Sequence, residues 1–363
     1  MTKALIIASE FPPQPGGIGN HALYLAKGMQ ANGYKVKLIS DTRSPDGRED
    51  RNFDKDLSFD VIRVPRKKVI LFSYFLRIKK AFYLSRESEI IISSGKYSLW
   101  VGAFLSLFFK RKFIAIVHGS EVKLSNKFLR WVTDLSLKRY GTVIAVSNYT
   151  KSLVSRLKLD TVVIPNGYTL KVPTNFVRKE IPGPILITVG NVTKRKGQHN
   201  VIKALPVLLK KYPDLKYHVV GIPTDQAKLE KTMLKMGVES AVVFYGEVSE
   251  SLKLELLQEA DIFVMLSEAT VKGDVEGFGI AILEANALGI PAIGAMGCGI
   301  EDAVKERFSG KLIAAQDSEQ LKMAVEQILA NYGTYSRQAR IWSQDFTWDK
   351  IIKRYLKVLR AAE

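Results

Sequence analysis

The chain has 363 residues, 47% hydrophobic and 25% charged, which excludes a disordered protein and suits two packed α/β domains. A single cysteine, Cys298, excludes an internal disulfide framework, and with four histidines no Cys/His cluster has zinc spacing, so neither metal nor cofactor is expected and a reducing cytoplasm fits. The formal net charge is +18, and its excess is local: Val61 to Tyr140 holds 17 Lys plus Arg against 4 Asp plus Glu.

In chain order, Met1 leads directly into Leu5-Ile6-Ile7-Ala8. This predicts a first buried strand over Ala4 to Ser9 rather than a signal peptide, whose apolar region is longer and ends in small residues. The loop Phe11-Pro12-Pro13-Gln14-Pro15-Gly16-Gly17-Ile18-Gly19 follows, stiffened by proline and open to close ligand approach at glycine, with a helix from about Ile18. Further strands are expected at Tyr34 to Ser40 and Val61 to Val64. Next, Arg66-Lys67-Lys68 and Arg77, Lys79 and Lys80 interleave with Ile70, Leu71, Phe72, Tyr74, Phe75, Leu76, Phe82 and Tyr83, a basic amphipathic helix with an aromatic-rich face. It suits either a headgroup interface or a helix packed on the core with its lysines solvated. After a strand at Glu89 to Ser93, the nearly uncharged stretch Tyr97 to Phe109 falls short of the ~20 residues a spanning helix needs, and predicts a buried helix. Strands at Phe113 to His118, Thr142 to Val146 and Thr161 to Ile164 complete the first half. His118 ends one of them, although a lone histidine is more often structural than catalytic.

Pro173, Pro182, Gly183 and Pro184 interrupt the periodicity, giving a linker at 171–183 between a first domain, 1–170, and a second, 184–345. The alternation restarts with strands at Ile185 to Val189, Lys216 to Val220, Ala241 to Tyr245, Asp261 to Leu266 and Pro291 to Gly294. Helices fall at about His199 to Lys211, Asp225 to Met236, Ser249 to Glu259 and Gly279 to Leu288, and Asp317 with Gln320 predicts a capping box. Two Rossmann-like halves place ligands beyond the carboxyl ends of their strands, hence in the cleft between facing domains.

Two segments of the second half carry chemistry. Gly190-Asn191-Val192-Thr193-Lys194-Arg195-Lys196-Gly197 is a strand, glycine turn and basic cluster ahead of a helix, the way a diphosphate is held by amides and cations. In Glu276-Gly277-Phe278-Gly279-Ile280-Ala281-Ile282-Leu283-Glu284, a glycine pair opens a helix whose free amides suit anions and hydroxyls. Glu284, one to two turns in, can accept two hydrogen bonds from a vicinal diol.

Glu276 and Glu284, with the Glu-Gly-Phe-Gly turn and Gly289-Ile290-Pro291, resemble the E-x7-E signature of the retaining glycosyltransferases of family 4, also called group 1. The resemblance implies the GT-B architecture of two facing Rossmann-like domains, the first binding acceptor and the second nucleotide sugar. It further implies that Glu276 with the amides of Phe278 and Gly279 holds donor sugar hydroxyls while Glu284 binds the ribose. Lys196 and Arg195 match the family's Gly-Arg-x-x-x-Arg-Lys-Gly loop, in which Asn191 departs from the usual arginine, so that Arg195 or Lys194 supplies the second charge. Gly16 and Gly17 resemble the family's Pro-Pro-x-x-Gly-Gly loop, and His118 the histidine that reaches the transferred sugar. Glu247 and Val248 lie near the expected base pocket. Of the remaining histidines, His21, His199 and His218 read as structural, with His21 close to the glycine loop. Phe346-Thr347-Trp348 precedes a terminal helix that, by the same analogy, crosses back to the first domain over about 346–363.

The resemblance thus implies retaining transfer of a hexose or N-acetylhexosamine from a UDP- or GDP-sugar to a lipid-linked glycan acceptor, as in bacterial surface polysaccharide synthesis. The enzyme is expected to be cytoplasmic and peripheral on the inner face of the plasma membrane, at an anionic surface. In front-face transfer the leaving phosphate oxygen takes the acceptor proton and Lys196 and Arg195 neutralise it, so metal is not required. A sugar-nucleotide 2-epimerase is the nearest alternative. A basic nucleic-acid-binding protein is a second, without a recognised motif, and no nucleic acid is expected as partner. A dehydrogenase lacks its Gly-x-Gly-x-x-Gly after the first strand.

Overall fold

The structure, a computed structural model, describes residues 1–66, 70–170, 172, 183–271 and 273–361. Contacts divide the chain into two compact units, Met1–Gly167 with Trp348–Glu363, and Tyr168–Thr347. The expected linker, 171–183, lies outside the described residues apart from Val172 and Gly183.

In the first unit, strands β1 (Lys3–Ala8), β2 (Lys35–Asp41), β3 (Asp60–Val64), β4 (Ile90–Ser94), β5 (Lys112–Val117), β6 (Thr142–Ala145) and β7 (Thr161–Val163) alternate with helices α1 (Gly17–Ala31), α2 (Arg48–Lys55), α3 (Ile70–Ser85), α4 (Lys96–Leu105), α5 (Lys127–Leu137) and α6 (Asn148–Val154). All pairings are parallel, in the order β3-β2-β1-β4-β5-β6-β7. The central strands are buried runs such as Leu5-Ile6-Ile7 and Ile90-Ile91-Ile92, because helices cover both faces of a parallel sheet and leave no wet side.

The second unit repeats the plan with β8 (Ile185–Val189), β9 (Lys216–Val220), β10 (Val242–Gly246), β11 (Ile262–Met265), β12 (Ala292–Ala295) and β13 (Gly310–Ile313), ordered β10-β9-β8-β11-β12-β13. Its helices are α7 (Gln198–Leu209), α8 (Gln226–Met236), α9 (Glu250–Glu259), α10 (Ile280–Ala287), α11 (Ser318–Ala330) and α12 (Tyr332–Ser343). The last helix, α13 (Trp348–Arg360), belongs to the first unit and packs on α1, where Tyr355 meets His21.

The strand order reverses between β1 and β4 in one sheet and between β8 and β11 in the other. At such switch points the loops leaving neighbouring strands diverge and leave room for a ligand beyond the carboxyl ends.

Three expectations need correction. Asp317 caps α11 by accepting the Gln320 N–H at 2.9 Å, but the Gln320 side chain accepts from the Ala314 N–H at 3.0 Å instead of returning to Asp317, whose own N–H already donates to Ala314 O at 3.1 Å. The capping box is half formed. Arg77 is not on the solvated face of α3. It is 2% exposed and pairs with Asp41 at the end of β2, while the exposed row is Phe72, Phe75, Lys79 and Tyr83. The buried helix expected over Tyr97 to Phe109 ends at Leu105, and Leu107 and Phe108 stand exposed beyond it. Strand β13 had no sequence signal: it is four residues long, pairs only with β12 and carries Lys311.

Candidate functional site

In the second unit the loop after β8 carries the basic cluster. Gly190, with φ of 150°, lets the Lys196 side chain lie against its backbone, since a Cβ there would stand 3.3 Å from Lys196 Cε. Lys194–Lys196 form a tight 3-10 turn, and Gly197 closes it at φ 77° before α7. A Cβ on Gly197 would fall 1.8 Å from Leu266 O, so only glycine lets this turn press onto the chain leaving β11. Loop and strand end thus meet at the β8/β11 switch point.

There the turn meets Glu276. Glu276 is 8% exposed, with Lys196 Nζ 2.8 Å from one carboxylate oxygen and Arg195 Nη1 hydrogen-bonded to the same oxygen. Burial works against its charge, but Lys196 and Arg195 outweigh burial and hold the carboxyl below its ordinary value. Of the two cations that could stand in for the arginine missing at Asn191, Arg195 is the one that contacts Glu276; Lys194 and Asn191 are both exposed. The Glu268 N–H donates to Arg195 O at 3.0 Å, and the Glu268 carboxylate bonds His199 at 2.9 Å and Gln316 at 2.8 Å. His199 therefore braces the loop. Sequence reading missed this Glu268 bridge, because Gln316 comes from a segment without a motif.

Gly277, Phe278 and Gly279 lead from Glu276 into α10. Phe278 is 2% exposed and packs its ring 5.9 Å from Phe346, while the Gly299 N–H donates to Glu276 O at 2.9 Å. Glu284, in the second turn of α10, faces Lys253 of α9 at 3.8 Å, and burial raises its carboxyl above the ordinary value despite that lysine. Glu247 and Val248, after β10, sit just ahead of α9, Glu247 exposed and Val248 half-buried.

In the first unit Gly16 and Gly17 open α1. A Cβ on Gly16 would meet Glu10 Oε2 at 2.7 Å, and Arg63 holds the loop from the other side through Pro12 O at 2.5 Å. His118, just after β5, is buried and bonds Ser94 Oγ at 2.9 Å, at the end of β4. Glycine loop and histidine thus share the carboxyl edge of the first sheet. Burial lowers His118 to about 4, so its imidazole is neutral at physiological pH. Glu121, given no role by the sequence reading, accepts the backbone N–H of His118, and burial pushes it up to about 7. His21 bonds Tyr355 at 2.8 Å with its ring 5.1 Å from His118, and His218 packs edge-on to Tyr245 at 5.1 Å. Both serve packing.

Among the described residues no group of His, Cys, Asp or Glu could hold a metal ion, and no helix is long and apolar enough to cross a membrane. The arrangement offers two cations on a buried carboxylate beside amides at a helix start, chemistry suited to an anionic leaving group and a polyhydroxyl ligand.

The family described as "Glycosyl transferases group 1" matches residues 174–343, and "Glycosyltransferase Family 4" matches residues 15–172. The GDP-mannose-dependent monoacylated alpha-(1-6)-phosphatidylinositol monomannoside mannosyltransferase of Corynebacterium glutamicum is 26% identical, over 90% of this chain and 88% of its own. Glycogen synthase of Mycobacterium tuberculosis is 24% identical, over 99% and 95%. Among solved structures, sucrose-phosphate synthase of Thermosynechococcus elongatus superposes with a TM-score of 0.80 at 20% identity, covering 100% of this chain and 99% of that one. HepE of Anabaena, solved with UDP and glucose, superposes with a TM-score of 0.80 at 20% identity over 99% and 100%. The fold is therefore GT-B.

Proposed function

Because the chain belongs to the group 1 glycosyltransferases of family 4, we propose that it is a retaining hexosyltransferase, moving a hexose or N-acetylhexosamine from a UDP- or GDP-sugar to a lipid-linked glycan at the cytoplasmic face of a membrane. The observation that carries the donor half is the Arg195-Lys196-Glu276 cluster at the β8/β11 switch point. In the structure Glu276 engages both cations. When the donor enters, its diphosphate takes over Arg195 and Lys196, and Glu276 turns to the sugar hydroxyls together with the amides of Phe278 and Gly279. As the glycosidic oxygen leaves the anomeric carbon, the cations neutralise the growing phosphate charge, and the acceptor hydroxyl delivers its proton to that oxygen as it attacks the same face. Gly190 and Asn191 line the diphosphate path, Glu284 accepts the ribose hydroxyls, and Glu247 with Val248 borders the base. The second unit thus serves the donor and the first the acceptor, through Gly16, Gly17 and neutral His118.

The name of the Corynebacterium relative, with GDP-mannose as donor and a phosphatidylinositol mannoside as acceptor, supports a lipid acceptor. HepE, solved with UDP and glucose, keeps UDP open as carrier. A surface of the first unit supports membrane contact. Helices α3, α4 and α5 stand side by side, joined by Tyr74 against Tyr97 at 4.9 Å and by Trp100 Nε1 donating to Thr133 Oγ1 at 3.0 Å. Together with the segments that follow α4 and α5, they expose Phe72, Phe75, Phe108, Phe128 and Trp131, among Lys79, Lys110, Arg111, Lys127, Arg130 and Lys138. Aromatic rings amid cations, with exposed acids sparse, match an anionic headgroup layer.

The test is turnover. With a membrane-lipid acceptor, nucleoside diphosphate release and an α-configured product from an α-linked donor are expected, and Arg195→Ala with Lys196→Ala lowers kcat by about 10²–10³-fold. Full activity in that double variant, or an inverted product, refutes the mechanism. Donor converted to an isomer without acceptor identifies an epimerase.

A further inference from the structure

Lys253 lies on α9, one turn after Glu250, and is partly buried between two carboxylates. Its Nζ is 2.6 Å from Glu250 Oε2 and 3.8 Å from Glu284 Oε2. The two partners differ sharply: the Glu250 side chain is 83% exposed and that of Glu284 20%. A solvated pair with Glu250 is worth little, whereas a cation beside a largely desolvated carboxylate weighs on whether that carboxylate keeps its charge.

Among the described residues the charges around Glu284 are few. From α9 come Lys253, which favours the carboxylate, and Glu250, which disfavours it. Strands β11 and β12 carry no charged side chain, and Arg340 of α12, the helix packed on α10, donates to Leu288 O at 3.2 Å. Burial already pushes Glu284 toward its neutral form, and among the described residues Lys253 is the cation that opposes it. A protonated carboxyl has one oxygen turned donor and no longer offers both as acceptors to a diol.

We propose that Lys253 is a positioning residue for donor binding, holding the Glu284 carboxylate charged and oriented to accept both hydroxyls of the nucleotide's ribose. The proposal rests on the reading of Glu284 as the ribose partner. It adds that a side chain outside every recognised motif sets how well that partner works, and over what pH range. The sign follows: without Lys253 the Glu284 proton is held more tightly, so ribose recognition fails first as pH falls.

The experiment titrates the full chain with GDP and UDP and with their 2′-deoxy counterparts, by calorimetry, at about pH 6 and about pH 8.5. Dividing ribo by deoxy affinity cancels the titration of the diphosphate itself, which falls in the same range. For the nucleotide that binds, the natural protein is expected to prefer the ribo form by about tenfold at both pH values. Lys253→Met is expected to lose about fivefold of that preference at the lower pH and little at the higher, and Lys253→Arg to restore it. Lys253→Gln serves should the Met form not fold. An unchanged preference at both pH values overturns the proposal. So does an equal loss at both, which makes Lys253 a direct ligand contact. Glu284→Gln separates the two layers: if it keeps the full ribo preference, the ribose reading falls and the proposal with it. If Glu284→Gln loses the preference and Lys253→Met does not, only the proposal falls.

Discussion

Glu276 keeps its charge inside the protein because two cations from one turn surround it, and that turn exists because Gly197 can lie against Leu266 O. Gly197→Ala is therefore expected to displace the turn, costing on the order of 2–3 kcal/mol in chemical denaturation and weakening nucleotide binding with it. The first unit holds a second set of buried titrating groups with opposed signs. His118 is held down to about 4, so the unfolded chain binds more protons than the native one below about pH 6.5, and stability falls as pH drops from there toward 4. Glu121 is held up to about 7, so its native form binds more protons between about pH 4.5 and 7, and stability falls as pH rises through that range. Between about pH 4.5 and 6.5 the two oppose each other. Glu121→Gln removes one side, so its melting temperature should fall more steeply on acidification than that of the natural protein; parallel pH curves would show that Glu121 does not titrate there. Glycines, cations and acids at motif spacing made Glu276, Glu284 and Lys196 stand out in the sequence as candidates. Lys253 and Glu121 did not, because a lysine 31 positions from its partly buried carboxylate and a glutamate capping its own loop leave no periodic trace.

At the scale of elements, the apolar runs at Ala4 to Ser9 and Ile185 to Val189 mark central strands because both faces of a parallel sheet are covered. Helices were harder to orient. Composition announced α3 as basic and aromatic, but only packing shows that Arg77 turns inward to Asp41 while Phe72, Phe75 and Tyr83 face out. In α5, Phe128, Trp131 and Leu135 recur three and four residues apart, a pattern that ordinarily marks a core stripe, yet Trp131 is 59% exposed and stacks on Phe128 at 6.0 Å. Replacing Phe128 and Trp131 by serine should leave thermal stability within about 0.5 kcal/mol, because neither fills the core. Retention on vesicles containing anionic lipid should drop by about tenfold or more, and high salt should weaken retention of the natural protein. Retention that ignores both substitutions would remove this surface from the account.

For the whole molecule, two parallel sheets with the order reversed at β1/β4 and β8/β11 place every proposed ligand group on a loop leaving the carboxyl end of a strand, or on the helix that follows it. Alternation of short apolar runs with helical segments made this plan legible, and the E-x7-E spacing tied it to a family. The donor base, the sugar and the acceptor have no such signature, since pocket shape sets them. The measurement that bears most directly on the central claim is a thermal-shift panel of UDP- and GDP-sugars, run on the natural protein and on Arg195→Ala with Lys196→Ala. At about a hundredfold excess over its dissociation constant, the true donor adds about 2.7 kcal/mol to stability, so one carrier nucleotide should raise the melting temperature by several degrees and lose that effect in the double variant. No shift with any nucleotide sugar, or a shift of equal size in the double variant, would contradict a donor held by Arg195 and Lys196.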